Sequence, residues 1–236
     1  MESRTSPSRL RLILEGQGLH VAALALLILG LILASELDLV RAGALWGLES
    51  VKWFWIAALV AILHQHYVWF CWRTELHGAL LSRLFGSRGF TLFATGFALL
   101  GLTRVVAVFA LAVSNRGTVP SADAVLQALA LVALVPAVYL FYSVQRYFGF
   151  RRAFGIDHFD PAYRRMPFVR EGIFRFSDNA MYTFGFLILW VPALWFGSVA
   201  GLCIALFNHI YIWVHYASTE RPDMRRIYGG NPGRVQ

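Results

Sequence analysis

Four apolar runs, at about residues 18–36, 51–72, 90–113 and 124–145, alternate with short polar stretches through the first two thirds of the chain. Each is near the ~20 residues that carry a helix across a bilayer. A fifth apolar region, 181–217, has 37 residues and is broken near its middle by Pro192, Gly197 and Ser198. That is too long for one ordinary span and predicts two short helices folded as a hairpin. The pattern as a whole predicts an all-α, polytopic integral membrane bundle of about six spans ending in a helical hairpin. No repeat, low-complexity tract or soluble second domain interrupts it. Residues 1–115 are expected to form N-terminal membrane helices. Residues 116–236 would form a core containing the hairpin, a long polar loop (146–180) and a C-terminal segment.

Arginines precede the first apolar run, as in a signal peptide. The run is long for one, and "LILASELDL" lacks a small-x-small cleavage pattern, so a retained signal anchor is expected.

Composition agrees with a membrane protein. The chain is 58% hydrophobic, and only 14% of its residues are charged, against about 25% in soluble domains. Mean hydropathy is +0.59. Aromatics make up 15%, including eight Trp, as expected where rings gather at membrane interfaces. The net charge of +8 is almost wholly arginine, Lys52 being the sole lysine. Arginine suits bidentate contacts to phosphate, and in a membrane chain lipid headgroups, not nucleic acid, are the expected partner. Cys71 and Cys203 both fall within apolar stretches, which predicts buried thiols without a disulfide; no Cys/His cluster suggests a metal site.

The arginines also set an orientation. With the N-terminus inside, inner segments carry 17 Lys/Arg and outer segments 3. The positive-inside rule then places both termini in the cytoplasm, in a bacterial inner membrane or the endoplasmic reticulum.

Polar chemistry concentrates at two places on that inner face. One is the stretch 145–179, "QRYFGFRRAFGIDHFDPAYRRMPFVREGIFRFSDN"; the other is the final segment "FNHIYIWVHYASTERPDMRRIYG", 207–229. On a helix His209, Trp213, Tyr216 and Glu220 share one face, with Asn208, His215 and Thr219 on the neighbouring stripe. Ionisable groups this deep in apolar sequence point to function, although interhelical hydrogen bonds would also account for Asn208 and His209. His64 and His66, two apart, point in opposite directions on a helix and make a poor metal pair. Arg104, within a span, is expected to pair with a polar group on another helix.

"GIFRFSDNAMYTFGF" resembles the glycine–aromatic–Asp-Asn-x-Met-Tyr signature of the phosphatidylethanolamine N-methyltransferases. "STERPDMRRIYG" is similar to the Glu-x-Pro segment of the wider membrane methyltransferase group, which includes the isoprenylcysteine carboxyl methyltransferases. The likeness covers roughly residues 135–230. It implies S-adenosylmethionine as cofactor, held by Asn179, Tyr182, Gly185 and Glu220, and by extension Asp178 and His215. Carboxyl methyltransferases usually carry Arg-His-Pro-x-Tyr where this chain has Ser177 to Tyr182, which tilts the resemblance towards amine methylation. Paired glutamates are common in the group, whereas Arg221 follows Glu220 here.

Within that implied chemistry, Tyr182, Trp213, Tyr216 and Glu220 suit a cationic sulfonium. Arg146, Arg151 and Arg152 suit a lipid phosphate. A phospholipid amine must attack in its neutral form. His158, tuned by Asp157 and Asp160, is the candidate general base beside the candidate catalytic Glu220; equally, "DHFDP" suits a turn cap before Pro161. Burial alone also lowers an amine pKa. Asp178 and Asn179 suit either a helix cap before Met181 or one wall of a pocket. Methylation of an isoprenylcysteine carboxylate or other lipid, a nicotinamide-dependent lipid or sterol reductase, and a non-enzymatic membrane protein stand as alternatives.

Overall fold

The computed structural model describes residues 8–120 and 123–229. The expected termini, and with them Arg4 and Arg234, lie outside the described residues. Helices α1 (Gln17–Ser35), α2 (Ser50–Gly78), α3 (Gly89–Ser114), α4 (Asp123–Ser143) and α5 (Val199–His215) form the bundle. A short helix, Arg9–Ile13, precedes α1. The only β structure among the described residues is a two-residue ladder pairing Ala44–Leu45 with Leu48–Glu49.

Among the described residues, five helical stretches are long and apolar enough to cross a membrane: Arg9–Ser35, Ser50–Gly78, Leu80–Ser114, Asp123–Phe148 and Val199–Ile227. The expected sixth span differs. Ala180–Trp195 is shorter and broken into Ala180–Thr183, a 3₁₀ stretch Gly185–Leu189 and Trp190–Trp195. The hairpin thus has one short, irregular arm and one long arm, not two short helices. The long arm passes 215 because α5 continues through a π-turn, Tyr216–Glu220, into Arg221–Ile227, with Pro222 in the first turn where its missing N–H costs little.

Small residues on α2 and α3 let the bundle close around a common core. Ala57, Ala58 and Ala61 of α2 pack with Ala107, Val108 and Leu111 of α3 and with Ile204 and Tyr211 of α5. At the end of the bundle away from the polar loop, Asn115 ties three connections together. Its Nδ2 donates to the carbonyls of Leu39 and Ala42, each at 2.8 Å, and its Oδ1 accepts from Ser198 Oγ and Ala200 N, each at 2.9 Å. Ser198 in turn caps α5 through the Gly201 amide at 2.9 Å. The tip of the hairpin is therefore fixed, which holds both of its arms in register.

Candidate active site

At the other end, the polar loop closes over a cavity of about 360 Å³, within the size range of small-ligand sites. Its wall draws on both sides of the expected division at 115/116, from His64 to Tyr228.

Glycine at 155 lets the loop reach the bundle. It adopts φ +78°, and a Cβ there would lie 2.5 Å from the Trp72 ring. The loop therefore lies flat on Trp72, whose Nε1 donates to the Phe154 carbonyl at 3.3 Å. This seats the buried His158 ring on the indole, with centroids 4.3 Å apart and planes at 15°. The imidazole sits between two carboxylates: Nδ1 is 3.2 Å from Asp157 Oδ1, and Nε2 is 3.5 Å from Asp223 Oδ2. Burial opposes its charge, but the two carboxylates outweigh burial and push its pKa up to about 9. Burial likewise works against the Asp157 carboxylate, and bonds from His158 and Tyr228 overcome it and hold the pKa below its ordinary value. Tyr228 donates to Asp157 Oδ2 at 3.0 Å; burial and that carboxylate raise the phenol pKa.

Both ring nitrogens of His158 face carboxylates, which favours the protonated ring. That argues against its expected role as general base. Asp160, expected to tune it, instead accepts the Ala162 amide at 2.9 Å in a turn. The second carboxylate is Asp223. It lies three residues beyond Glu220, one helical turn on, and that spacing was the available signal for it.

Of the other expected residues, Asp178, Asn179, Tyr182, Gly185, His215, Tyr216, Glu220 and Arg152 all line the same cavity. Asn179 occupies the cap position of Ala180–Thr183 without a side-chain capping bond. The local turn is made by Ser177 Oγ, which accepts the Asn179 amide at 3.2 Å. The helix-cap account of Asn179 is therefore set aside. Gly185 also meets a packing need, because a Cβ there would come within 2.6 Å of Leu140 Cδ2.

Tyr182 lies 5.9 Å from both Trp213 and Tyr216, ring centroid to centroid, and Trp213 lies 5.7 Å from Tyr216. This cluster joins the two arms of the hairpin at the cavity wall. Beside it, buried Glu220 Oε2 and both ring nitrogens of buried His215 lack hydrogen-bond partners among the described residues. Such groups are costly to bury unpaired, and they face a space that a polar ligand would fill.

The arginine trio does not act together. Arg152 lines the cavity, its two Nη atoms donating to the Pro167 carbonyl at 3.2 Å. Arg151 instead stacks over Phe90 at 5.1 Å, and Arg146 over Tyr147 at 5.7 Å, neither on the cavity wall. Arg152 stacks as well, over Phe148 at 5.0 Å, so its place on the cavity wall is what separates it from the other two.

The central histidines bond across helices. His20 Nε2 and Tyr211 Oη lie 2.8 Å apart, and His66 Nδ1 lies 3.5 Å from the same hydroxyl. Arg104 pairs with Asn208, as expected of an arginine within a span. No group able to hold a metal ion occurs among the described residues.

Residues 125–231 match the family described as phospholipid methyltransferase. The match supports the resemblance read in the sequence, and with the five apolar helices it supports a membrane phospholipid methyltransferase. It takes in α4, the polar loop, the hairpin and the segment carrying Glu220, and leaves out α1 to α3. Among curated proteins and among solved structures, nothing matches the chain.

Proposed function

We propose that the protein transfers methyl groups from S-adenosylmethionine to the headgroup amine of a phosphatidylethanolamine-type lipid. The observation that carries this is the unpartnered, buried Glu220 carboxylate oxygen beside the Tyr182–Trp213–Tyr216 cluster. An orphaned acceptor next to aromatic faces fits a cation, and S-adenosylmethionine is one. When bound, that cofactor supplies an electrophilic methyl group. Tyr182, Tyr216 and Glu220 would surround its positive charge. Asn179, Asp178 and His215 would meet its polar groups, and Gly185 keeps the wall thin where it packs on α4.

Arg152, on the cavity wall, is positioned for the lipid phosphate. No side chain is needed as a base, because a low-dielectric site favours the neutral amine. His158 serves as a fixed cation that holds Asp157 and Asp223 in place. Holding amine and methyl donor in line would supply much of the acceleration. Residues 116–236 form the methyltransferase core in this account. The arginine balance supports a cavity mouth and termini on the cytoplasmic side, where the soluble cofactor is found.

The test is transfer of labelled methyl from S-adenosylmethionine into lipid by the purified protein, beside Glu220→Gln. Label in methylated phosphatidylethanolamine, lost in the variant, supports both reaction and site. Cofactor binding without label in that lipid means another acceptor. The absence of both binding and transfer sinks the proposal, and a nicotinamide oxidation assay would follow.

A further inference from the structure

The cavity reaches well below the loop. His64 on α2 and Arg104 on α3 line it, each at least ten residues from either end of its helix. Arg104 is 4% exposed. Its Nε donates to Asn208 Oδ1 and its guanidinium lies 4.9 Å over the Phe186 ring, but among the described residues Nη2 has no partner. Neither ring nitrogen of His64, packed edge-on against Phe97 at 4.8 Å, has one either. Ionisable groups at membrane depth are expensive, and here two adjacent walls of one cavity leave hydrogen-bonding capacity unused. Gln65 stands beside His64, and otherwise the lining around them is apolar, with Val105, Leu140 and Leu189. A molecule filling this end must be mainly hydrocarbon yet present an oxygen that accepts from Arg104.

The depth suits one part of a lipid. Asn208, which holds Arg104, and Glu220 lie on the same helical arm twelve residues apart, on the order of 18 Å by helical rise. An interval of that order is closer to a headgroup plus glycerol backbone than to a headgroup alone. Arg104 is the one cation that α2 to α5 contribute to the lining among the described residues. The lipid phosphodiester, a monoanion, is met by Arg152 on the loop side of the same cavity.

We propose that Arg104, held by Asn208 and flanked by His64, forms a second polar subsite that binds an ester carbonyl of the acceptor lipid. A diacyl glycerophospholipid is then read at two points, its amine near Glu220 and its ester near Arg104. This rests on the cavity being the acceptor site, and it assigns acceptor selection to α2 and α3, which lie outside the matched family region.

The test uses the full chain in nanodiscs with diacyl phosphatidylethanolamine and its dialkyl-ether analogue, which keeps amine, phosphate and chain length but lacks the carbonyls. Methyl transfer and lipid binding by competition in native mass spectrometry are both read. The diacyl lipid is expected to show about a tenfold lower KM and tighter binding, as for one hydrogen bond to a charged donor. Arg104→Met should erase that difference, with S-adenosylmethionine binding as the check on folding. Equal use of both lipids by the wild type overturns the proposal, whether or not the variant folds. So does a variant that weakens both lipids alike, which would assign Arg104 to the phosphate or to packing. If neither lipid is methylated but the diacyl preference in binding depends on Arg104, the subsite stands and amine methylation fails.

Discussion

Arg73 Nε lies 3.0 Å from Asp223 Oδ2, and both side chains are completely buried. The guanidinium also donates to the Leu12 carbonyl at 2.6 Å and to the Thr219 carbonyl at 3.1 Å. One side chain from α2 therefore clamps the start of the chain, the π-turn and the carboxylate behind His158. A π-turn frees backbone carbonyls from the helical ladder, and Arg73 takes up two of them, those of Ser218 and Thr219, immediately before Glu220. Removing one partner strands the other charge in the interior, at a cost of about 3–5 kcal/mol. Arg73→Met and Asp223→Asn should each destabilise the fold on that scale, and the double variant by much less than their sum. Unfolding equilibria in mixed micelles would measure this, and additive losses would show that the two are not a pair.

The imidazolium of His158 gives stability a defined dependence on pH. Its folded pKa, about 9, lies above the ordinary 6.5, so its contribution is complete below about 6.5 and is lost as pH rises through 9. By linkage the shift is worth on the order of 3 kcal/mol. Asp157, held low, contributes above the ordinary carboxylate range and loses its part as pH falls through its folded pKa. The unfolding midpoint should therefore fall between pH 7 and pH 10 in the wild type and change little in His158→Gln over that interval. A wild-type midpoint flat to pH 10 would mean that His158 is not charged.

Much of the bundle is legible in the sequence, because α1 to α4 each centre on a mainly apolar run whose length matches a bilayer. The short hairpin arm is not, since an apolar run does not distinguish α-helix from the 3₁₀ turns at Gly185–Leu189. The cavity wall was visible where polar types interrupt apolar sequence, as at Asn179, His215 and Glu220. Arg73 was hidden by its position, because an arginine at the inner end of a span is already explained by membrane orientation. Its partner Asp223 lies 150 residues away, and only tertiary packing pairs them.

Glu220 offers the most direct test of the cofactor site. Its Oε2 is buried without a partner among the described residues, so Glu220→Gln keeps the shape and removes the charge that would face a sulfonium. Affinity for S-adenosylmethionine should fall by about tenfold to a hundredfold, as for loss of a charge-assisted contact. S-adenosylhomocysteine, which lacks the positive charge, should lose little. Isothermal titration with both ligands separates the two, and equal losses would point to a steric role.

Gly16 links the first span to the same site. It adopts φ +78°, and a Cβ there would lie 2.2 Å from the Ser218 carbonyl oxygen, inside the π-turn. Alanine would be strained by its backbone and would also press on rigid main chain, so either α1 or the turn must move. Gln17, next in sequence, donates to Thr219 Oγ1 at 3.4 Å and lies 3.0 Å from His20, so displacement of α1 would pull on the histidine–tyrosine network as well. Gly16→Ala is therefore expected to weaken cofactor binding even though residue 16 does not line the cavity. Gly18→Ala, where a Cβ meets nothing within 4 Å, is the matched control and should bind as the wild type does. If both variants bind alike, the close approach of α1 to the π-turn has no bearing on the site.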